Sequence, residues 1–351
     1  MSDMNLNLQT AWERLAALPK PSVESISHLE LTRDDWLIVC AGFEERTLEA
    51  LKRATTRRSP LNVLIVIYDP LVPQNKADAL RELCAASGAN RIEATYDRRD
   101  PSEFGSTIKN LSNGSGRIFV DVSAMSRLLI VQTIVALGTR SQGLSDCFVL
   151  YTEAETYPPT QGEVEAELAK SVTDPTFSVL FLSSGVFEVT VVPELSSFAP
   201  AAAQSRLIVF PSLDAHQLIA LRNELQPSRF TFIEGLPPNP EIQWRQEAIS
   251  RINHLETVGN AERCTTSTLD YIETLNCLLD MYSKHAIQER LIISPTGSKM
   301  QTVAVGIFRS LIEDVQIVYP TPKDFRSPSD YTLGASTMHS LRLGEFASER
   351  L

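Results

Sequence analysis

Short runs of Val, Ile and Leu alternate along the chain with stretches whose apolar residues recur at helical spacing. The runs LIVC (37–40), VLIVIY (63–68) and IFVDV (118–122) are apolar throughout instead of alternating with polar residues, as in strands covered on both faces. Such strands, interleaved with helices of ordinary length, predict an α/β fold: mainly parallel sheets flanked by helices and joined by right-handed crossovers.

The same order of elements occurs twice. Residues 36–40, a Gly42 turn and the helical EERTLEALKRA have a counterpart in residues 206–210 followed by SLDAHQLIALRNEL. Residues 62–70 match 229–238, and 91–97 match 252–258. The nearest pair is RIFVDVSAMSRLLIVQTIVAL from Arg117 and RLIISPTGSKMQTVAVGIF from Arg290, an offset of roughly 170 residues. A fifth strand with a polar, aromatic tail follows in each half, from Cys147 and from Val315, and a sixth element pairs residues 179–195 with 330–346. Two tandem Rossmann-like lobes are expected, residues 1–198 and 199–351, divided in the Ala/Ser/Pro-rich stretch 196–206, with residues 1–30 as an N-terminal helix and lead-in.

Composition narrows the partners. With 351 residues, 43% of them apolar and 21% charged, the chain has material for two or three ordinary cores. A net charge of −11 argues against coating duplex DNA by broad phosphate neutralisation, while a local anion site stays open. The five cysteines are widely spaced and read as reduced core thiols; no zinc-like Cys/His spacing is present, so neither metal nor cofactor is expected. The N-terminus lacks a signal peptide's basic start and apolar run, and no stretch approaches the ~18 apolar residues of a membrane span, so a cytoplasmic protein without membrane contact is expected.

In open parallel sheets, ligands bind beyond the carboxyl ends of strands, where loops and helix starts present backbone N–H groups. The loops after the first and fourth strands are therefore the candidates: residues 41–46 and 121–127 in the first half, 211–214 and 294–299 in the second. Thr296, Gly297, Ser298 and Lys299 set two hydroxyls, a glycine and a cation at a helix start, which suits a phosphate or ribose. Helix capping by Thr296 and Ser123, with Gly297 easing a tight turn, explains the same residues. In the first half Gly42, Arg46, Ser123, Ser126 and Arg127 are the matching candidates. Arg46 draws notice because a cation beside a helix N-terminus has no dipole reason to be there. The tyrosines at the fifth-strand ends, Tyr151 and Tyr319, suit either base stacking or core packing.

Signals for catalysis are sparse. Walker A, GxGxxG after a first strand, Gly-x-Ser-x-Gly and Arg-x-x-x-His are all absent. Asp121 at a strand end, with Glu44 or Lys299, could serve an enzyme that cleaves a cyclic oligonucleotide or an N-glycosidic bond.

The segment Leu291 to Met300, LIISPTGSKM, resembles the strand-loop-helix motif of CRISPR-associated Rossmann-fold (CARF) domains, and two such units in one chain resemble the SAVED sensors of bacterial antiphage systems. That resemblance implies a nucleotide sensor or regulatory subunit gripping a cyclic oligonucleotide second messenger between its lobes. Thr296, Gly297, Ser298 and Lys299 would contact it, and Ser123 alone transfers in the first half. Such sensors usually carry an effector in the same chain; none is recognisable here, so the output either belongs to a partner, an effector or another defence-system subunit, or has been lost. An enzyme acting on the nucleotide, and a scaffold with a degenerate pocket, are the other classes.

Overall fold

The computed structural model describes residues 12–56, 60–111, 116–173, 183–197, 204–324 and 331–347. Most strands fall into two sheets, each with a parallel core flanked by helices. The chain divides into two units. One holds Ala17–Tyr157 together with the chain from Thr332 onward; the other holds Pro158–Tyr331 together with the chain up to Ala16. They are named here the β3 unit and the β10 unit, after their first parallel strands.

In the β3 unit, β3 (Trp36–Cys40), β5 (Asn62–Asp69), β6 (Asn90–Asp97), β7 (Ile118–Asp121) and β8 (Cys147–Thr152) are parallel, in spatial order β6-β5-β3-β7-β8. Short β1 (Glu24–Ile26) lies at the far edge, while β2 (Leu29–Leu31) and β4 (Ala54–Thr56) form a separate ladder. The β10 unit repeats the layout with β10 (Gln204–Val209), β11 (Arg229–Leu236), β12 (Ala261–Ser267), β13 (Glu289–Ser294) and β14 (Gln316–Pro322), in order β12-β11-β10-β13-β14. Counting along the chain, both sheets run 3-2-1-4-5, the doubly wound Rossmann order, which reverses direction between the first and fourth strands.

The sixth element is an antiparallel strand beside the fifth in both sheets, and the two strands are exchanged. β9 (Val186–Val191) follows β8 in sequence yet pairs with β14, whereas β15 (Met338–Arg342) follows β14 and pairs with β8 and β1. A cut at 198/199 therefore does not follow the sheets: β9 precedes it but joins the second sheet, and β15 follows it but joins the first. Two more corrections concern elements. The third strand of the β10 unit is β12, not residues 252–258, where His254 takes φ 49° and a 3-10 turn covers Leu255–Thr257. Of the expected N-terminal helix, residues 12–17 are helical, 1–11 lie outside the described residues, and β1 enters before residue 30.

After the helical residues 12–17, the helices of the described residues are α1 (Glu49–Arg53), α2 (Ala77–Ser87), α3 (Phe104–Leu111) and α4 (Arg127–Gly138), then α5 (Gln161–Thr173), α6 (Ala215–Leu225), α7 (Trp244–Ile252), α8 (Tyr271–His285) and α9 (Lys299–Leu311). α4 and α9 follow the fourth strands and are buried almost all round, Leu128 to Leu137 and Met300 to Arg309 without a break. The nearly unbroken apolar sequence of α4 fits that position. Leu37, Val39, Val63, Ile65, Leu80 and Phe119 lie in the core of the β3 unit; Leu207, Val209, Leu221, Phe232 and Val318 lie in that of the β10 unit.

Candidate functional site at the strand-order reversals

The loops singled out in the sequence flank the reversal in each sheet, between β3 and β7 and between β10 and β13. In the β10 unit the Thr296 hydroxyl donates to the Phe210 carbonyl at 2.6 Å, tying the loop after β13 to the end of β10. A Cβ on Gly297 would stand 2.9 Å from Phe210 Cβ and 2.5 Å from Gln301 Oε1, so glycine is what lets this loop lie so close. Ser298 caps α9. Its Oγ accepts from Gln301 N at 3.1 Å, Gln301 Oε1 accepts from Ser298 N at 2.9 Å, and Ser298 Oγ also donates to the Thr268 carbonyl at 2.7 Å. Lys299, half-buried, is the first residue of α9.

The β3 unit puts the same residue types in the same places. Ser126 caps α4, its Oγ accepting from Leu129 N at 3.3 Å, and half-buried Arg127 is the first residue of that helix. Ser126 N donates to the Tyr68 hydroxyl at 2.6 Å. Asp121 accepts from Ser123 N at 3.0 Å and from Ser123 Oγ at 2.5 Å, and Ser123 Oγ accepts from Thr152 N at 2.8 Å. This buried chain joins the ends of β7 and β8. A Cβ on Gly42 would come within 2.7 Å of Ala124 Cβ, so the loops after β3 and β7 interlock.

Arg46 is only 4% exposed and has a structural partner set. Its Nε donates to Glu44 at 2.7 Å and its Nη1 to the Thr152 carbonyl at 3.1 Å, with the guanidinium 5.6 Å from the centre of the Tyr151 ring. Burial alone would lower its pKa, but Glu44, Tyr151 and Tyr157 together outweigh burial and raise it. Glu44 is thus paired with Arg46 and Asp121 with Ser123, so each of these carboxylates has a structural partner within the protein. Tyr151 and Tyr319 are buried, and Tyr151 stacks on His339, so both pack in the interior.

Several polar groups nearby had no role assigned from the sequence, although Asp214 and Ser294 lie within the candidate loops. His339 Nε2 lies 2.9 Å from Glu153 Oε2 beside the end of β8. In the β10 unit Asp214 caps α6, accepting from His216 N at 3.2 Å and from the Ser183 hydroxyl. Burial raises the Asp214 pKa against the opposing bond from Ser183. The buried hydroxyls of Thr152 and Ser294, at the ends of β8 and β13, have no hydrogen-bond partner among the described residues. Only the strand-end positions of Thr152 and Ser294 could have flagged them in the sequence.

Fold and site together define two Rossmann-like α/β units, each with a capped helix starting at its strand-order reversal. No family model and no curated protein matches the chain. A solved structure with some similarity is that of Haemonchus contortus phosphoethanolamine N-methyltransferase 1 in complex with phosphoethanolamine and S-adenosylhomocysteine. It is 9% identical, covers 90% of this chain and 78% of that one, and has a TM-score of 0.20, too low to carry an argument.

Proposed function

We propose that the protein is a nucleotide-binding regulatory protein of an antiphage defence system, reading a cyclic oligonucleotide and passing its presence to an effector partner. One observation carries the binding: in both units a serine cap followed by a cation opens the helix at the strand-order reversal, Ser126-Arg127 and Ser298-Lys299. A cation at a helix N-terminus opposes the dipole, at a cost of about 0.3–1 kcal/mol, and it recurs at the same point of both units. An anion placed there gains from the cation, the dipole and the first backbone N–H groups together.

The side-chain hydroxyls of Ser123, Thr296 and Ser298 hold the loops in shape, and phosphate contact falls to Arg127, Lys299 and the backbone. The resemblance of the LIISPTGSKM segment to CARF domains supports the nucleotide and the defence context. The internal bonds of Asp121 and Glu44 favour binding over turnover. Thermal denaturation against a panel of mononucleotides and cyclic di- and trinucleotides tests the reading. A ligand present at 100 times its Kd adds about 2.7 kcal/mol, a clear rise in Tm, and the nucleotide is recovered uncleaved. A panel in which nothing shifts Tm, or in which the binder is hydrolysed, overturns it.

A further inference from the structure

Two of the five cysteines do not fit the description of isolated core thiols. Cys264 lies on β12, the outer strand of its sheet, and is half-exposed; Cys277 lies on α8, which packs on that strand. Strand and helix run past each other in register. Thr266 Oγ1 is 2.9 Å from Thr274 Oγ1 on one side, and Glu262 Oε1 is 3.0 Å from His285 Nε2 on the other. Residues 262, 264 and 266 share one face of the strand, and Cys277 lies one turn along α8 from Thr274, so both cysteines fall between these two contacts.

We propose that Cys264 and Cys277 form a reversible intramolecular disulfide on exposure to peroxide, fastening α8 to the edge strand β12. The hydrogen bond from Cys277 lowers the Cys264 pKa, while the same bond and burial raise that of Cys277. Cys264 is therefore the nucleophile, and it is the exposed member of the pair.

Its thiolate attacks one oxygen of hydrogen peroxide, the O–O bond breaks, and the departing hydroxide takes a proton to leave as water. The resulting Cys264 sulfenic acid no longer carries the charge that held the Cys277 proton. The Cys277 sulfur then attacks the Cys264 sulfur, the S–O bond breaks, and hydroxide leaves with the Cys277 proton as a second water. Two thiols lose two electrons, and one peroxide becomes two waters.

The other three cysteines are internal controls. Cys40, Cys84 and Cys147 are buried, and burial pushes the Cys84 thiol up and that of Cys147 to about 11. The Cys264–Cys277 loop also includes Thr268, whose carbonyl accepts the bond from Ser298, so the crosslink bears on the loop that supports the start of α9.

The test treats the reduced full-length protein with hydrogen peroxide and maps its peptides without reduction. The expected result is loss of two hydrogens from the intact mass, one crosslink joining Cys264 to Cys277, and full reversal by dithiothreitol. In the Cys277→Ser variant, dimedone should trap Cys264 as its sulfenic acid. A wild-type protein that gains oxygen at Cys264 without a crosslink, or that links Cys264 to any other cysteine, overturns the proposal. The wild-type map decides the matter even if the variant does not fold.

Discussion

At the scale of single residues, the proposed ligand contacts and the architecture share the same short loops. Thr296 could be picked out from the sequence because it follows an apolar strand and precedes a helix. Its partner could not, since the Phe210 carbonyl lies 86 positions away along the chain. Arg46 shows the same limit: a cation near a helix start was legible, but the buried Thr152 carbonyl and Glu44 that hold it were not.

At the opposite end of β3, Asp35 does comparable structural work. It is 2% exposed and accepts from Thr32 N at 2.7 Å, Arg117 N at 2.8 Å and Arg117 Nη2 at 2.7 Å, binding the starts of β3 and β7. Burial raises its pKa, but the Arg117 and backbone bonds together outweigh burial and leave the carboxyl below its ordinary value. A depressed carboxylate stabilises the fold above its unfolded pKa of about 3.9 and loses that contribution as pH falls through the folded value. Asp35→Asn should therefore cost about 1–3 kcal/mol in urea denaturation at pH 7, with the gap to wild type narrowing below about pH 4. An equal gap at both pH values would show that charge is not what Asp35 contributes.

Among elements, unbroken apolar runs marked the central parallel strands of both sheets, and the edge strand β6 was found as well, at residues 91–97. β12 escaped because Ala-Glu-Arg-Cys-Thr-Thr-Ser offers no apolar run and keeps only Thr266 fully buried. The sixth strands were found as a pair, but their exchange was not, because strand pairing across distant segments leaves no local mark on the sequence. The exchange has a measurable consequence. Leu341, 1% exposed on β15, lies opposite Val149 of β8, so Leu341→Pro removes a ladder donor and a packed side chain from the β3 unit. Hydrogen exchange should accelerate in β8 and β1 and stay unchanged in β14, the strand that precedes β15 in the chain. Faster exchange confined to β14 would contradict the observed pairing.

For the molecule as a whole, duplication was the most legible property, and it located both reversal points before any coordinates. Sequence alone could not tell whether the hydroxyls there were waiting for a ligand or already bonded inside the protein. The structure shows them bonded, which narrows the proposed phosphate contacts to Arg127 and Lys299 with the helix-start backbone. An overall charge of −11 is compatible with two such local cations, since screening limits the reach of distant surface charge to about 10 Å.

The most direct test is calorimetric titration of the nucleotide giving the largest thermal shift into wild type, Arg127→Glu and Lys299→Glu. Each reversal of charge is expected to weaken binding at least tenfold, about 1.4 kcal/mol, with the fold intact by circular dichroism. Undiminished affinity in both variants would contradict the account.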